Sequence, residues 1–184
     1  MTTVKNKRAG GKGRRGNGVV ELYRRPGFLI RHCHQIGVAI FVEEFAAYGL
    51  TPGQFGALHL VAHRPGLDQR TLASAIGLDR STTGAIVNRL ARRRLIDRRI
   101  NPEDRRGRVL TLTPAGRSLL AKTRAAARRA QDRLLSPLLP AARSAFLDQL
   151  ARLIGAHAKV SRAPFVPLGA VPFGARERER QREA

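Results

Sequence analysis

Residues 68–116 read DQRTLASAIGLDRSTTGAIVNRLARRRLIDRRINPEDRRGRVLTLTPAG, and this stretch decides the fold. It opens with two short helical patterns that a glycine turn separates, and the second pattern carries small polar residues on one face. An arginine-rich segment follows, in which two alternating runs flank a turn. The order predicts a winged helix-turn-helix: a mainly α fold with a small β-hairpin wing, for which DNA is the leading candidate partner.

The two helices of this stretch have clear start and stop signals. Asp68 is suited to cap the first helix, Gly77 to form the tight turn, and Asp79 to cap the second helix, which runs to about Arg93. On a helical wheel the second helix buries one stripe and exposes the opposite face. The stripe predicted to be buried consists of Thr83, Ile86, Val87 and Leu90.

The exposed face of the second helix fits the recognition of DNA bases. Small side chains let a helix sit deep in a groove, and Asn and Arg pair bidentately with adenine and guanine edges. Asn88 is the amide on this face, while Arg80 and Arg89 can contact either bases or phosphates. The predicted DNA-binding residues of this helix are Arg80, Ser81, Thr82, Gly84, Ala85, Asn88 and Arg89.

The segment after this helix is predicted to be the wing. Residues 95–100 alternate Ile96 and Ile100 with polar neighbours, and residues 108–113 alternate leucines with threonines, as two strands of a hairpin do. The turn NPEDRRG, residues 101–107, forms its tip. Thr113-Pro114 then predicts the start of a long helix.

Helices are also predicted on both sides of the winged domain. One runs from about Pro26 to Tyr48, Thr51 opens a second with a capping box, and the helix after the wing runs to roughly Leu135. A last helix follows Pro140, and its apolar stripe exceeds what a small DNA-binding lobe needs for its own core. Such a stripe predicts a partner subunit; it consists of Phe146, Leu147, Leu150, Leu153 and Ile154.

The charge of the chain points to a polyanionic partner. Lys and Arg number 35 against 13 Asp and Glu, which gives a net charge of +22. The first 18 residues carry six cations and no acid, and residues 176–184 carry four Arg and three Glu. The remaining +15 falls on residues 19–175, so the predicted folded body is itself basic.

Other features of the composition set the expected compartment. No apolar run approaches the roughly 20 residues that span a bilayer, and the basic N-terminus lacks the apolar stretch of a secretory signal. The single cysteine, Cys33, excludes an intrachain disulfide, and we interpret it as a small buried hydrophobic residue. A soluble cytoplasmic protein without a membrane partner is expected.

The order of these motifs resembles the MarR (multiple-antibiotic-resistance regulator) family of bacterial transcription factors. The matching stretch is DRSTTGAIVNRLARRRLIDRRINPEDRRGRVLTLTPAG, in which Asp104-Arg105-Arg106 and Leu112-Thr113-Pro114 are the most specific parts. The resemblance extends from Gly27 to about His157. It implies a homodimer with six helices per subunit and a winged domain on each side.

The resemblance also implies a mode of action. Members of the family usually repress nearby genes, and many release DNA when a small aromatic anion binds between the DNA-binding and dimerisation regions. In the wing it implies that Arg106 enters the minor groove, positioned by Asp104, while Arg105 and Arg108 contact phosphates. The expected partners are therefore a second copy of the chain, a pseudo-palindromic operator in double-stranded DNA and a small aromatic carboxylate effector.

The histidines allow two interpretations. His59 and His63 have the i,i+4 spacing of a metal pair on a helix. Because no Cys or carboxylate nearby completes a set of four ligands, zinc binding is the weaker alternative, and we expect no metal and no cofactor. An effector pocket, where imidazoles and a cation suit a carboxylate, is the stronger one; its predicted residues are Arg31, His32, His34, Gln35, His59 and His63.

Two other classes of function remain to be compared with a ligand-responsive repressor. A sequence-indifferent basic architectural protein would also have a high net charge, but the capped helices, the hairpin and the apolar stripe argue against it. An enzyme is not expected, since the sequence has no phosphate loop, nucleophile elbow or metal quartet.

The expected organisation of the chain follows from these interpretations. Residues 1–18 form a disordered basic arm, and residues 162–184 form an extended, charged C-terminal tail. Between them lies a MarR-type domain over residues 19–161. Its winged helix-turn-helix covers about 52–113, and its dimerisation helices cover about 26–48 and 114–158.

Overall fold

The computed structural model describes residues 14–100, 108–158, 160, 163 and 165–168, with backbone alone at residues 14–18. These residues form eight α-helices and a small antiparallel sheet of three strands, which confirms the predicted fold class. The helices are α1 Arg14–Tyr23, α2 Pro26–Glu44, α3 Pro52–His63, α4 Gln69–Ile76, α5 Arg80–Arg92, α6 Pro114–Lys122, α7 Arg124–Leu135 and α8 Pro140–His157. The strands are β1 Leu67–Asp68, β2 Ile96–Ile100 and β3 Arg108–Leu112.

The chain divides into two compact units, residues 1–39 and residues 40–184. In the first unit, the rings of Tyr23 and Phe28 meet edge to face with centroids 5.4 Å apart. Helix α1 begins at Arg14 and includes the last five residues of the basic arm predicted over 1–18. The rest of that predicted arm, residues 1–13, lies outside the described residues.

The core of the second unit lies between α3, α4, α5 and the sheet. Helices α4 and α5 contact each other across the turn, α3 packs on both, and β3 packs on α3. The ring of Phe41 stacks on that of Phe45 at 3.9 Å, so the end of α2 closes one side of this core. The large side chains with less than 2% of their surface exposed include Phe45, Leu58, Leu72, Leu90, Ile96 and Leu110.

Side-chain caps begin four helices of this unit, as the sequence predicted. The Thr51 hydroxyl accepts a hydrogen bond from the Gln54 backbone, and the Gln54 side chain accepts one from the Thr51 backbone, which completes the capping box. Asp68 caps α4, Asp79 caps α5, and Thr113 caps α6. These caps satisfy backbone N–H groups that have no partner inside the helix.

The sheet has one more strand than the predicted hairpin. Its order is β1-β3-β2, and β1 pairs with β3 through Leu67 opposite Leu110. The Gly66 N–H also donates to the Leu110 carbonyl at 3.0 Å. Two residues are too few to display alternation, so only the pairing with a distant segment identifies this strand.

The burial of β2 differs from the prediction at one position. Ile96 is buried, as expected, but Ile100 is 58% exposed. Ile100 pairs with Arg108 at the far end of the ladder, next to the wing tip. The alternation places Ile100 on the same face as Ile96, but at this end of the ladder the described residues do not bury that face.

The helix predicted to run from Thr113 to Leu135 divides at Thr123 into α6 and α7. The Thr123 hydroxyl donates to the Leu120 carbonyl at 2.7 Å, and its backbone N–H is shared between Leu119 and Leu120. A threonine that bonds back to the preceding turn bends a helix. This division and the additional α1 raise the number of helices in the described residues from the implied six to eight.

The last helix exposes its apolar stripe in the single chain. Phe146, Leu147, Leu153 and Ile154 on α8 are each between 39% and 51% exposed. Helix α2 also has no buried residue, and Cys33 on it is exposed, so its interpretation as a buried hydrophobic residue was wrong for one subunit. No helix of the described part of the chain is long and apolar enough to cross a membrane.

The start of α6 contacts the turn between α5 and β2 closely enough to allow only a glycine at position 116. A Cβ atom there would lie 2.1 Å from the Leu95 carbonyl oxygen. We expect Gly116→Ala to lower the free energy of unfolding by at least about 2 kcal/mol, since the clash is with backbone that cannot rotate away. Urea unfolding followed by circular dichroism measures this difference.

The matched control is Gly27→Ala in α2, where a Cβ would meet nothing within 4 Å. Alanine there should leave stability unchanged or raise it by up to about 1 kcal/mol, because alanine favours helix. Equal stability of Gly116→Ala and the wild type would contradict the close approach.

Candidate DNA-binding site

Helix α5 is held at its start by one carboxylate. Asp79 accepts hydrogen bonds from the Thr82 backbone at 2.8 Å and from the Thr82 hydroxyl at 2.7 Å. These bonds favour the charged form and lower the pKa of Asp79. At Asp68 of α4, partial burial acts to raise the pKa, but hydrogen bonds from Thr71 and Arg70 outweigh it and lower the pKa. Both caps are therefore ionised at neutral pH.

The two faces of α5 are arranged as the helical wheel predicted. Thr83, Val87 and Leu90 are fully buried, and Ile86 is partly buried. The Thr83 hydroxyl donates to the Asp79 carbonyl at 2.8 Å, so its burial leaves no polar atom without a partner. The structure brings the predicted DNA-binding residues together on the other side: Arg80, Ser81, Thr82, Ala85, Asn88 and Arg89 are exposed, and Gly84 is half-buried among them.

Gln69 is a residue of this face that the sequence reasoning missed. It is the first residue of α4, and its Nε2 lies 3.1 Å from the point where Gly84 would carry a Cβ atom. The missing side chain at position 84 lets this amide lie against the middle of α5. Its position at the start of the first helix of the helix-turn-helix is the signal that could have identified it.

Arg98 is a second missed residue, and it contacts Asn88 directly. The Arg98 guanidinium on β2 donates to Oδ1 of Asn88 on α5. Because guanidinium groups only donate, the oxygen of the Asn88 amide must face Arg98. The strand alternation contained the signal, since position 98 shares a face with Ile96 and Ile100 and that face turns towards α5.

The structure describes the two strands of the predicted wing but not its tip. Residues 101–107, with Asp104, Arg105 and Arg106, lie outside the described residues, and their roles stay predictions. Arg108 is exposed at the first position of β3. On β2, Arg99 and Asp97 form an exposed ion pair at 3.9 Å, which adds little stability.

A cavity of about 610 Å³ lies within the second unit between α3, β3, α6 and α7. Its lining combines aromatic rings with cations, among which no acidic side chain occurs. Two of the predicted effector residues, His59 and His63, belong to it. The lining residues are Phe55, His59, Ala62, His63, Leu112, Arg117, Leu120, Ala121, Thr123, Arg124, Ala127, Arg128 and Gln131.

The two histidine rings of the cavity lie against each other at an interplanar angle of 35°. The rings of His59 and His63 lie 4.3 Å apart, and Nδ1 of His63 donates to the His59 carbonyl at 2.8 Å. Burial lowers the pKa of His59, and the neighbouring His63 lowers it further, so His59 is neutral at pH 7. In the described part of the chain no group of three or more His, Cys, Asp or Glu side chains could hold a metal ion.

The other four predicted effector residues lie on the part of α2 that belongs to the first unit. Arg31 lies over the Phe28 ring at 5.2 Å, contacts Nε2 of His32 at 3.0 Å and donates to Gln35 at 3.5 Å. His34 is exposed. None of these four residues lines the cavity of the second unit.

Helix α7, which forms one wall of the cavity, is tied to the end of α2 by ion pairs. Arg133 bonds both Glu43 and Glu44 at 2.8 and 2.7 Å, and Arg129 bonds Glu44 at 2.7 Å. The side chain of Glu44 is only 12% exposed, so these pairs are better shielded than ordinary surface pairs. They fix the position of α7 relative to Phe45 and the core.

Comparisons with known proteins agree with this arrangement. A sequence model of the MarR family matches residues 48–107. A proposed transcriptional regulatory protein for the hcr operon of Thauera aromatica is 39% identical over 105 residues, which are 57% of this chain and 63% of that protein, so the chain spans just under two thirds of its length.

Two solved structures are similar over most of the fold. The transcriptional repressor CouR, bound to a 23-mer DNA duplex, has a TM-score of 0.69 and 34% identity, covering 72% of this chain and 94% of its own. BpsR of Bordetella bronchiseptica, whose DNA binding is regulated by 6-hydroxynicotinic acid, has a TM-score of 0.69 and 29% identity, covering 71% and 94%.

The cap at Asp79 predicts a pH dependence of stability. A folded-state pKa below the unfolded value of about 4 stabilises the protein above pH 4, and this contribution is lost as the pH falls through the folded pKa. Asp79→Asn keeps a capping oxygen but cannot titrate. Its stability should therefore fall less between pH 6 and pH 3 than that of the wild type, as measured by urea unfolding across that range; identical pH profiles would contradict the role of the charge.

Proposed function

The chain belongs to the MarR family of transcriptional regulators, and on that premise we propose that it is a dimeric, sequence-specific repressor that a small aromatic acid releases from its operator. The observation that carries the proposal is the exposed face of α5. It is lined with small residues, contains one amide and is flanked by arginines, while a carboxylate cap fixes its N-terminus. This is the shape and chemistry that a major groove admits.

In this proposal α5 reads bases and the wing binds the neighbouring backbone and minor groove. Ser81, Thr82, Gly84, Ala85 and Asn88 lie nearest the base edges. The cations contact phosphates or guanines, and Arg106 enters the minor groove with Asp104 holding it in place. The likeness to CouR, a repressor solved on a DNA duplex, supports DNA as the partner. The residues proposed for these cationic contacts are Arg80, Arg89, Arg105 and Arg108.

The apolar stripe of α8 supports a homodimer. Four large apolar side chains that are 39% to 51% exposed on one helix are costly in water and would be covered by the same surface of a second chain. A twofold dimer binds two half-sites about one helical turn, roughly 10 base pairs, apart. The operator should therefore be a pseudo-palindrome.

The cavity of the second unit supports an anionic aromatic effector. Phe55 and the two neighbouring histidines offer ring surface to an aromatic ligand, while Arg117, Arg124 and Arg128 offer charge to a carboxylate. The regulation of BpsR by 6-hydroxynicotinic acid supports this class of ligand. Arg31, His32, His34 and Gln35, on the part of α2 in the first unit, stay predicted effector residues.

A sequence-indifferent architectural role is the second candidate, because a net charge of +22 alone gives affinity for any DNA. The two candidates differ in specificity. A repressor should prefer its own operator over bulk DNA by about 1000-fold or more, whereas an architectural protein should not.

Asn88 is expected to read a base of the operator directly. We expect specific binding to the intergenic DNA upstream of the chain's own gene, with two chains per site. We also expect Asn88→Ala to weaken it by about 10- to 100-fold, because one bidentate base contact is worth about 1–3 kcal/mol. Fluorescence anisotropy titrations with this DNA and with random DNA of equal length measure both affinities.

The control variant is Gln149→Ala, which removes an exposed amide on α8 and should leave both affinities unchanged. Equal losses on the two DNAs for Asn88→Ala would contradict base reading. Absence of any preference in the wild type would favour the architectural role.

A small aromatic acid is expected to release the protein from its operator. Benzoate and its hydroxylated derivatives should dissociate the operator complex, and uncharged benzamide should not. Arg124→Gln should raise the concentration for half-release by about tenfold or more, since a charge-assisted hydrogen bond contributes about 1.5–3 kcal/mol. Operator affinity without ligand should stay at the wild-type value. The same anisotropy assay, with ligand added to preformed complex, gives these values.

Arg64→Gln is the matched control for the effector prediction, because Arg64 is an exposed arginine at the end of α3 that does not line the cavity. Its release curve should coincide with that of the wild type. An unchanged curve for Arg124→Gln would exclude Arg124 as a partner of the carboxylate, and unchanged curves for Arg117→Gln and Arg128→Gln as well would exclude this cavity as the carboxylate site.

A further inference from the structure

The segment that follows α8 returns to the helix-turn-helix. The Val166 N–H donates to the Ser74 carbonyl on α4 at 2.9 Å. The Phe165 ring lies over the turn after α4, with its Cδ2 atom 3.5 Å from the point where Gly77 would carry a Cβ atom. Residues 165–168, the C-terminal clasp below, lie far outside the stretch 48–107 that matches the family.

The turn under this clasp determines where α5, the proposed recognition helix, lies. Only three residues separate α4 from α5, and Gly77 among them has the left-handed backbone conformation, with φ 66°. The Leu78 N–H donates to the Ala73 carbonyl at 3.1 Å, which closes α4 with the hydrogen bond of a Schellman motif. Because the next residue, Asp79, caps α5, any movement of this turn moves the N-terminus of α5.

The clasp adds a hydrogen bond and a side-chain contact that the turn does not have by itself. Within the turn the Ser74 carbonyl receives a long hydrogen bond of 3.4 Å from the Gly77 N–H, and Val166 provides a shorter second donor. Glycine at position 77 has no side chain to pack, so the Phe165 ring covers the bare backbone there. The clasp thus restrains both the Ser74 carbonyl near the end of α4 and Gly77, the residue at which the chain reverses.

The sequence around the clasp favours this docked form. Proline precedes Phe165 and follows Val166 in the chain. Proline has a fixed φ and few accessible conformations, so a proline-flanked segment loses less conformational entropy when it is immobilised. In the structure Phe165, Pro167 and Leu168 are half-buried, whereas the side chain of Val166 is 57% exposed. Phe165 is therefore the side chain that anchors the clasp.

We propose that the C-terminal clasp positions the recognition helix for DNA, with Phe165 as the positioning residue and the Val166 N–H as its hydrogen-bond donor. The inference rests on the proposed function, because it assumes that α5 reads bases. It adds a segment after the last helix to the groups that determine specificity. Hydrogen bonds to bases weaken steeply with small changes in distance and angle, so a loosened turn costs specific affinity first.

The clasp should affect the position of α5 more than it affects the stability of the fold. Leu72, Ala73 and Ala75 of α4 are buried in the core and hold that helix whether or not the clasp is docked. Binding to random DNA depends on charge, and neither Phe165 nor Val166 is charged. Loss of the ring should therefore lower operator affinity while thermal unfolding and random-DNA affinity stay near the wild-type values.

The test compares Phe165→Ala, Phe165→Leu and Val166→Ala in the full-length chain. Phe165→Ala should weaken operator binding about tenfold, the effect of one lost base contact. Phe165→Leu should restore part of that loss, because leucine still covers Gly77. Val166→Ala is the matched control: it changes an exposed neighbour and keeps the backbone donor, so its operator affinity should equal that of the wild type.

Hydrogen exchange without DNA makes the test independent of the operator. The amide of Leu78 should exchange faster in Phe165→Ala than in the wild type and in Val166→Ala. If the Leu78 amide exchanges in Phe165→Ala at the wild-type rate, the clasp does not restrain the turn and the proposal is overturned. Faster exchange with unchanged operator affinity overturns its role in positioning. A wild type that exchanges slowly but shows no operator preference contradicts the proposed function instead, and the positioning role falls with it.

Discussion

The hydrogen bonds of Thr113 join the recognition helix, the wing and the helices that follow. Its hydroxyl donates to the Arg94 carbonyl at 2.7 Å, its N–H donates to the Leu95 carbonyl at 3.2 Å, and its hydroxyl also accepts from Gly116 at 2.9 Å. Leu95 ends the turn after α5 and leads directly into β2. One residue thereby holds the end of α5, the start of the wing and the start of α6 within a few ångströms, through its side chain and its backbone.

The junction combines a strained backbone at Arg94 with close packing of the neighbouring leucines. Arg94 has a left-handed backbone with φ 55°, which costs a residue other than glycine about 1–2 kcal/mol. The Leu95 N–H donates to the Leu90 carbonyl at 3.0 Å, and both leucines are buried, so a Schellman-type helix end offsets the cost. The strained residue is thus what turns the chain sharply enough to begin the wing against the recognition helix.

The junction also gives the proposed effector a short path to the DNA-binding face. The cavity is lined by Leu112 on one side of Thr113 and by Arg117 on the other. The Arg117 guanidinium donates to the Leu112 carbonyl at 2.7 Å, so a carboxylate that attracts Arg117 acts on the last residue of β3. The next residue, Thr113, donates hydrogen bonds to the carbonyls of Arg94 and Leu95, which follow the end of α5. A ligand that shifts α6 needs no long chain of contacts to move the recognition helix.

Signals confined to a few residues were predictable from the sequence, and pairings between distant segments were not. The caps at Thr51, Asp68, Asp79 and Thr113 and the two faces of α5 follow from local spacing, which is why the fold class and most of the candidate site could be predicted. Strand β1 and the clasp exist only through contacts with residues some 40 to 90 positions away. The exposure of Cys33 and of the α8 stripe could not be predicted from local spacing, because it depends on which other segments pack on these surfaces, and among the described residues none buries them.

Asn88 illustrates how such a distant contact changes the chemistry of a residue that the sequence identified correctly. An amide that pairs with adenine must accept with Oδ1 and donate with Nδ2. Arg98 donates to Oδ1, so it fixes the direction of the amide and leaves Nδ2 as its outward donor. A carbonyl oxygen has two lone pairs, and adenine can therefore share Oδ1 with Arg98 rather than displace it. The charge of Arg98 then orients the amide before DNA binds. The entropy cost of ordering this side chain is therefore not part of the binding free energy.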